Sequence, residues 1–110
     1  MKDDRLYLIH ISECIERIEH YARGTNKQAF MDSTLLQDAI IRNLQVLAES
    51  TQRLSDDIKE TESGIDWFEI AGFRNVLVHD YLGIDTERVW NILEKDLPAL
   101  KEAVSRMLER

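Results

Sequence analysis

Arg74, His79 and Tyr81 could together handle a phosphodiester, and they lie within one short stretch, Gly72-Phe73-Arg74-Asn75-Val76-Leu77-Val78-His79-Asp80-Tyr81-Leu82-Gly83. Cleaving RNA without a metal takes a base near the 2′-hydroxyl, an acid near the leaving 5′-oxygen and positive charge on the phosphate. A histidine titrating near neutral pH can act as base or acid. An arginine can hold a phosphate through two parallel hydrogen bonds, and a tyrosine can donate to a phosphate or stack on a base. Asn75 and Asp80, inside the same stretch, are candidate supporting residues. Asp80 could orient His79, contact Arg74 or simply solvate a helix end. The plain alternative is that Arg74 pairs with an acidic neighbour while His79 and Tyr81 close the helix. No nucleophile–histidine–acid constellation for acyl transfer is visible.

These residues need a scaffold. Trp67, Ile70, Ala71, Phe73, Leu77 and Val78 supply the apolar positions of a helix expected over 64–82, with Gly83 as its stop. At about 100° per residue, Arg74 and Tyr81 share a face two turns apart, while His79 sits about 140° from Arg74. A straight helix does not converge the three, and one histidine leaves either the acid or the base role unfilled. A symmetric dimer would answer both problems by bringing two copies of the stretch across one cleft.

The rest of the chain reads as helices around that scaffold. Leu8, Ile11, Ile15, Ile18 and Ala22 make one apolar stripe on a first helix expected over 3–23, with Gly24 as its stop. Residues 25–31 read as a loop. Asp32 is a candidate N-cap for a second helix carrying Leu36, Ile40, Asn43, Leu47, Ser50 and Leu54 on one stripe. Asn43 and Ser50 must bond each other, bond the backbone or line something. Residues 55–63, with Asp56, Asp57 and the acidic run 60–62, read as a solvated connector. Asp85 can cap a fourth helix carrying Val89, Leu93, Leu97, Leu100, Val104 and Met107, and Pro98 inside it predicts a kink or break near Asp96–Leu97. The expected fold is all-α: an antiparallel, up-and-down bundle of four to five helices, one domain over 1–110.

Composition sets limits on function. The chain has 110 residues, 44% hydrophobic and 32% charged, with one proline and four glycines. That fits a single globular domain and leaves few turns for an all-β fold. The net charge of −7 argues against a broad nucleic-acid-binding surface, so contact with RNA would have to be local, or the partner a basic protein. No apolar run is long enough to span a membrane. The charged start Met1-Lys2-Asp3-Asp4-Arg5 is not a secretory signal, so a cytoplasmic location is expected. The single cysteine, Cys14, fits a reducing compartment. His10 and Cys14, with His20 further on, offer half of a metal site and no second half, so packing is the expected role. Trp67 and Trp90 read as core or interface anchors rather than base-stacking platforms, and Glu49 as part of a solvated face. No cofactor or metal is expected.

The segment from Ile65 to Tyr81, with its tryptophan lead-in, small-residue step and R-N-x-x-x-H-D-Y ending, resembles the HEPN superfamily, specifically the HepT-like toxins. Gln37-Asp38-Ala39-Ile40-Ile41-Arg42-Asn43-Leu44 resembles the family's second-helix signature, and Asp85, Val89 and Trp90 resemble its following helix start. The resemblance covers roughly residues 6–100. It implies a helical homodimer with the motif at the interface, a metal-independent ribonuclease acting on RNA, and Arg74 and His79 as catalytic residues. It also implies a cognate minimal nucleotidyltransferase antitoxin that transfers AMP to Tyr81 and so silences the toxin. The competing reading is a non-catalytic helical module that binds a nucleotide or docks on the nucleotidyltransferase.

Overall fold

The structure, a computed structural model, describes the backbone of residues 2–78 and 86–110 and the side chains of residues 3–73 and 86–110. Helix α1 spans Lys2–Ala22 and opens with Asp3 and Asp4, whose charge suits the positive end of a helix. Its stripe Leu8, Ile11, Ile15 and Ile18 is buried, joined by Cys14. Gly24 ends it at φ +76°, a left-handed backbone that a residue with a Cβ adopts only under strain.

Residues 27–31 of the expected loop, together with Asp32, form a short helix α2, Lys27–Asp32. Two local features favour it. The Asn26 side chain accepts a hydrogen bond from the Ala29 N–H at 2.8 Å, a cap the hydrophobic pattern does not reveal. Phe30 is fully buried, with its ring 5.4 Å from that of Trp90. Asp32 therefore ends α2 rather than capping the next helix. Ser33 takes that role for α3, Thr34–Gln52, its Oγ accepting from the Leu36 N–H at 3.1 Å. Asn43 donates to the Ala39 carbonyl at 2.9 Å, so it bonds the backbone of its own helix. No buried side-chain nitrogen or oxygen among the described residues lacks a hydrogen-bond partner.

The expected connector after α3 contains helix α4, Asp56–Glu60, capped by Ser55. The Ser55 N–H and Oγ–H donate to the buried Asp4 carboxylate at 2.8 and 2.6 Å, which fastens the start of α4 to the start of α1. Helix α5 spans Trp67–Val78, α6 Thr86–Asn91 and α7 Leu97–Glu109. Between the last two lies a π-helical turn, Ile92–Asp96, where the Leu97 N–H reaches back five residues to the Ile92 carbonyl. Pro98 can donate nothing to the carbonyl four residues before it and its ring crowds that position. The chain widens the preceding turn instead of breaking, so α6, the π turn and α7 follow one another without a gap.

Helix α3 lies between α1 and α5, and α1 also packs on α7. Ile11, Ile15, Ile40, Leu44, Leu47, Leu100 and Val104 meet at the centre, each at most 2% exposed. The architecture is an all-α bundle, with no strand among the described residues. The four long elements match the expected helices, and the additional short ones come from the two supposed loops. No described helix is long and apolar enough to cross a membrane.

The acidic connector also needs a correction at Glu62. Its side chain is only 8% exposed and accepts from Arg106 at 2.7 Å and Arg110 at 3.1 Å, both on the last turns of the bundle. Two residues invisible at helical spacing thus clamp the approach to α5 against α7. The Arg106 hydrogen bond is the main cause of a Glu62 carboxyl held down at about 2 instead of 4.5. A depressed carboxyl pKa stabilises the fold above the unfolded value, and that contribution is lost as pH falls from about 4.5 towards about 2. Glu62→Gln is expected to flatten the acid dependence of the urea midpoint across this window. A variant whose midpoint falls with pH in parallel with the unmodified protein would refute the clamp.

Candidate active site on helix α5

Helix α5 is started by Asp66, whose carboxylate accepts from the Glu69 N–H at 3.0 Å while its carbonyl takes the Ile70 N–H at 3.1 Å. That cap places the first helical residue at Trp67, later than Gly64. The Trp67 indole N–H then donates to the carbonyls of Lys59 and Glu62, at 3.1 and 3.2 Å, tying α5 to the clamp just described. Ile70 and Phe73 are buried, each 4% exposed, in the core that α5 shares with α3. Trp67 is half-buried and Trp90 buried, so both are anchors as expected.

The opposite side of α5 is different. Phe68 is 90% exposed, while Gly72 is half-buried, with no described residue within 4 Å of a Cβ built there beyond its own helix. An apolar helix is normally covered on all sides. Here the outward-facing Phe68 is left almost bare by the described residues.

The helical backbone of α5 carries Arg74 and Asn75, the first members of the motif. Their side chains lie outside the described residues, as do His79, Asp80, Tyr81, Gly83 and Asp85. The convergence of Arg74, His79 and Tyr81 therefore rests on the sequence argument. What the structure adds is the frame: a capped, anchored helix that delivers Arg74 directly after the buried Phe73.

Beside that frame is a cleft of about 260 Å³ that the motif did not announce. Glu69 and Phe73 of α5 form one wall; Arg88, Asn91, Ile92, Lys95 and Asp96 of α6 and the π turn form the other. The Glu69 carboxyl is pushed above its usual value, first by a hydrogen bond with Asp96, then by the Asp96 charge, with Arg88 opposing the shift. Sequence reading missed these residues because Glu69 and Asp96 lie on separate helices. The one available signal was the polar stripe Arg88, Asn91 and Lys95 at helical spacing, on a rod read mainly for its apolar side.

Elsewhere the functional candidates settle into structural roles. His10 is exposed while Cys14 is buried, and burial pushes the thiol's pKa up, away from reactivity. Glu49 is half-exposed, 3.8 Å from Arg53 in a solvated pair.

The ribonuclease HepT-like family model matches residues 11–107. Among individual relatives, a Methanocaldococcus jannaschii protein named "Gamma-glutamylcyclotransferase and putative RNase" is 37% identical over 98% of this chain and 49% of its own length. A "Putative RNase" of Caldanaerobacter subterraneus subsp. tengcongensis is 31% identical over 100% of this chain and 98% of its own. A "Probable ribonuclease HepT" of Thermococcus cleftensis is 35% identical over 86% of each. No solved structure matches the chain significantly. With a helical bundle, an anchored motif helix and a family match spanning most of its length, the chain belongs to the ribonuclease HepT-like family.

Proposed function

We propose that this chain is a metal-independent endoribonuclease, the toxin of a toxin–antitoxin pair, working at a cleft between two copies of itself. Support for the ribonuclease part comes from family membership and from the names its relatives carry. Support for the two-copy site comes from one observation: the helix that bears the motif has an uncovered apolar side, with Phe68 90% exposed. A second copy seated on that side would cover it. It would also set two Arg74 side chains near one phosphate, concentrating positive charge locally on a chain of net charge −7. And it would supply the second histidine the chemistry needs.

In this reading one His79 takes the proton of the 2′-hydroxyl as that oxygen attacks phosphorus, and its mate protonates the leaving 5′-oxygen. The Arg74 pair carries the charge that builds on the phosphate oxygens. Tyr81 assists in the cleft, with Asn75 and Asp80 in support. Tyr81 is also the acceptor for AMP from a cognate minimal nucleotidyltransferase antitoxin. The added phosphate would set negative charge beside Arg74, and the adenine would fill the cleft. The acidic surface favours a second reading, a non-catalytic module that binds a nucleotide or docks on the nucleotidyltransferase.

The two readings part in a cleavage assay with chelator present. The enzyme reading expects RNA cleavage that survives chelation and falls by about 10²–10⁴-fold in His79→Ala and in Arg74→Ala, with thermal unfolding unchanged. Full activity in His79→Ala would remove the proposal. For the silencing step, intact mass after co-expression with the partner should rise by one or more AMP units, and Tyr81→Phe should abolish the rise. A Tyr81→Phe protein that still gains AMP would place the acceptor elsewhere.

A further inference from the structure

Helix α3 keeps one side in water, and its charged residues lie there. Asp38, Arg42, Val46 and Glu49, with the C-cap Arg53, step by four, four, three and four, so they fall within about 80° around the helix. All five are exposed, Val46 at 38%. No other charged residue occurs between Thr34 and Arg53. The stripe runs negative, positive, apolar, negative, positive. In the single chain Glu49 stands 3.8 Å from Arg53 with both side chains more than half exposed, a pair that water largely screens.

That order of signs is complementary to itself when read backwards. Arg42 stands as far before the midpoint between Gln45 and Val46 as Glu49 stands after it, about 5 Å along the axis. Asp38 and Arg53 stand about 11 Å to either side of the same point. A second α3 can be laid antiparallel on the first, about a two-fold axis through that midpoint and perpendicular to both helices. Arg42 then comes level with Glu49 of the second copy and Asp38 with its Arg53, each contact occurs twice, and the two Val46 side chains meet at the axis. A parallel pairing would set like on like, Asp38 on Asp38 and Arg42 on Arg42. The charges therefore select the antiparallel arrangement. Such selection matters between two chains of net charge −7, which otherwise repel.

We infer that a second copy of this chain docks on α3 in this way, through crossed Arg42–Glu49 and Asp38–Arg53 pairs around a Val46 contact. A single exposed ion pair adds little to affinity. Four of them around one apolar contact set the register and reject the parallel alternative. Because α5 packs beside α3, the same two-fold axis keeps both α5 helices on one side of the pair. The two motif-bearing helices thus share a side, as two half-sites must. This pairing deepens the two-copy reading and rests on it for the purpose of the interface, while its register stands on α3 alone.

Charge reversal tests the pairing directly. Arg42→Glu and Glu49→Arg are prepared as separate proteins and followed by sedimentation velocity over a concentration series. In each protein alone the reversed residue meets a like charge twice, so dimerisation should weaken by about ten-fold or more. Mixed in equal amounts, each protein supplies the charge that the other lacks, and the dimer should return to near the unmodified level. Two misfolded variants would not rescue each other. Variants that dimerise alone as well as the unmodified protein, or a mixture that stays monomeric, would overturn the α3 interface and leave the two-copy reading to another face. An unmodified protein that stays monomeric throughout would overturn both. Rescue on mixing in a protein that cleaves no RNA would overturn the enzyme reading and leave the interface standing.

Discussion

A helix that is apolar on more than one side must be covered on more than one side, and α5 places that demand on the bundle. Its inner residues, Ile70 and Phe73, belong to the buried core shared with α3. Burying side chains of this size contributes on the order of 1.5–3 kcal/mol each. That fixes the helix in the bundle, but it uses only one side. Phe68, on the other side, is left in water by the described residues. Exposed apolar surface is tolerated singly; beside a motif rich in polar chemistry it points to a partner.

The remaining architecture holds α5 at a definite place and angle. Asp66 caps it, Trp67 bonds it to the end of α4, and Glu62 ties that region to Arg106 and Arg110 of the last helix. On the far side of the motif, Lys27 reaches Glu87 at 2.8 Å, and Phe30 packs on Trp90, so α2 holds α6. The two described elements that flank the motif in sequence are therefore each fastened to a distant part of the chain. Catalytic groups gain from such fixing, because a misplaced side chain loses the advantage of orientation.

Much of this frame was legible in the sequence. The stripe from Leu8 to Ile18 is periodic enough to identify α1, Gly24 marks its end, and the all-α class follows from four such stripes with one proline and four glycines. What stayed hidden depends on contacts across the fold. Short helices α2 and α4 are held by single caps, Asn26 and Ser55, and by one buried ring or carboxylate, none of which makes a periodic pattern. Glu62 looked like one more solvated acid because its partners lie more than 40 residues away. Pro98 signalled a disturbance, but whether a proline breaks a helix or widens it into a π turn depends on the packing around it. For the site, the motif could be found from residue types and spacing alone. The cleft beside Glu69 and Asp96 could not, because its lining comes from separate helices that only the fold brings together.

The central claim is that one copy of this chain carries half of a site. The most direct measurement is RNA cleavage per chain as the protein is diluted, read beside the dimer fraction from sedimentation at the same concentrations. The half-site account expects specific activity to fall in step with the dimer fraction. A monomer that cleaves RNA at an undiminished rate per chain would contradict it.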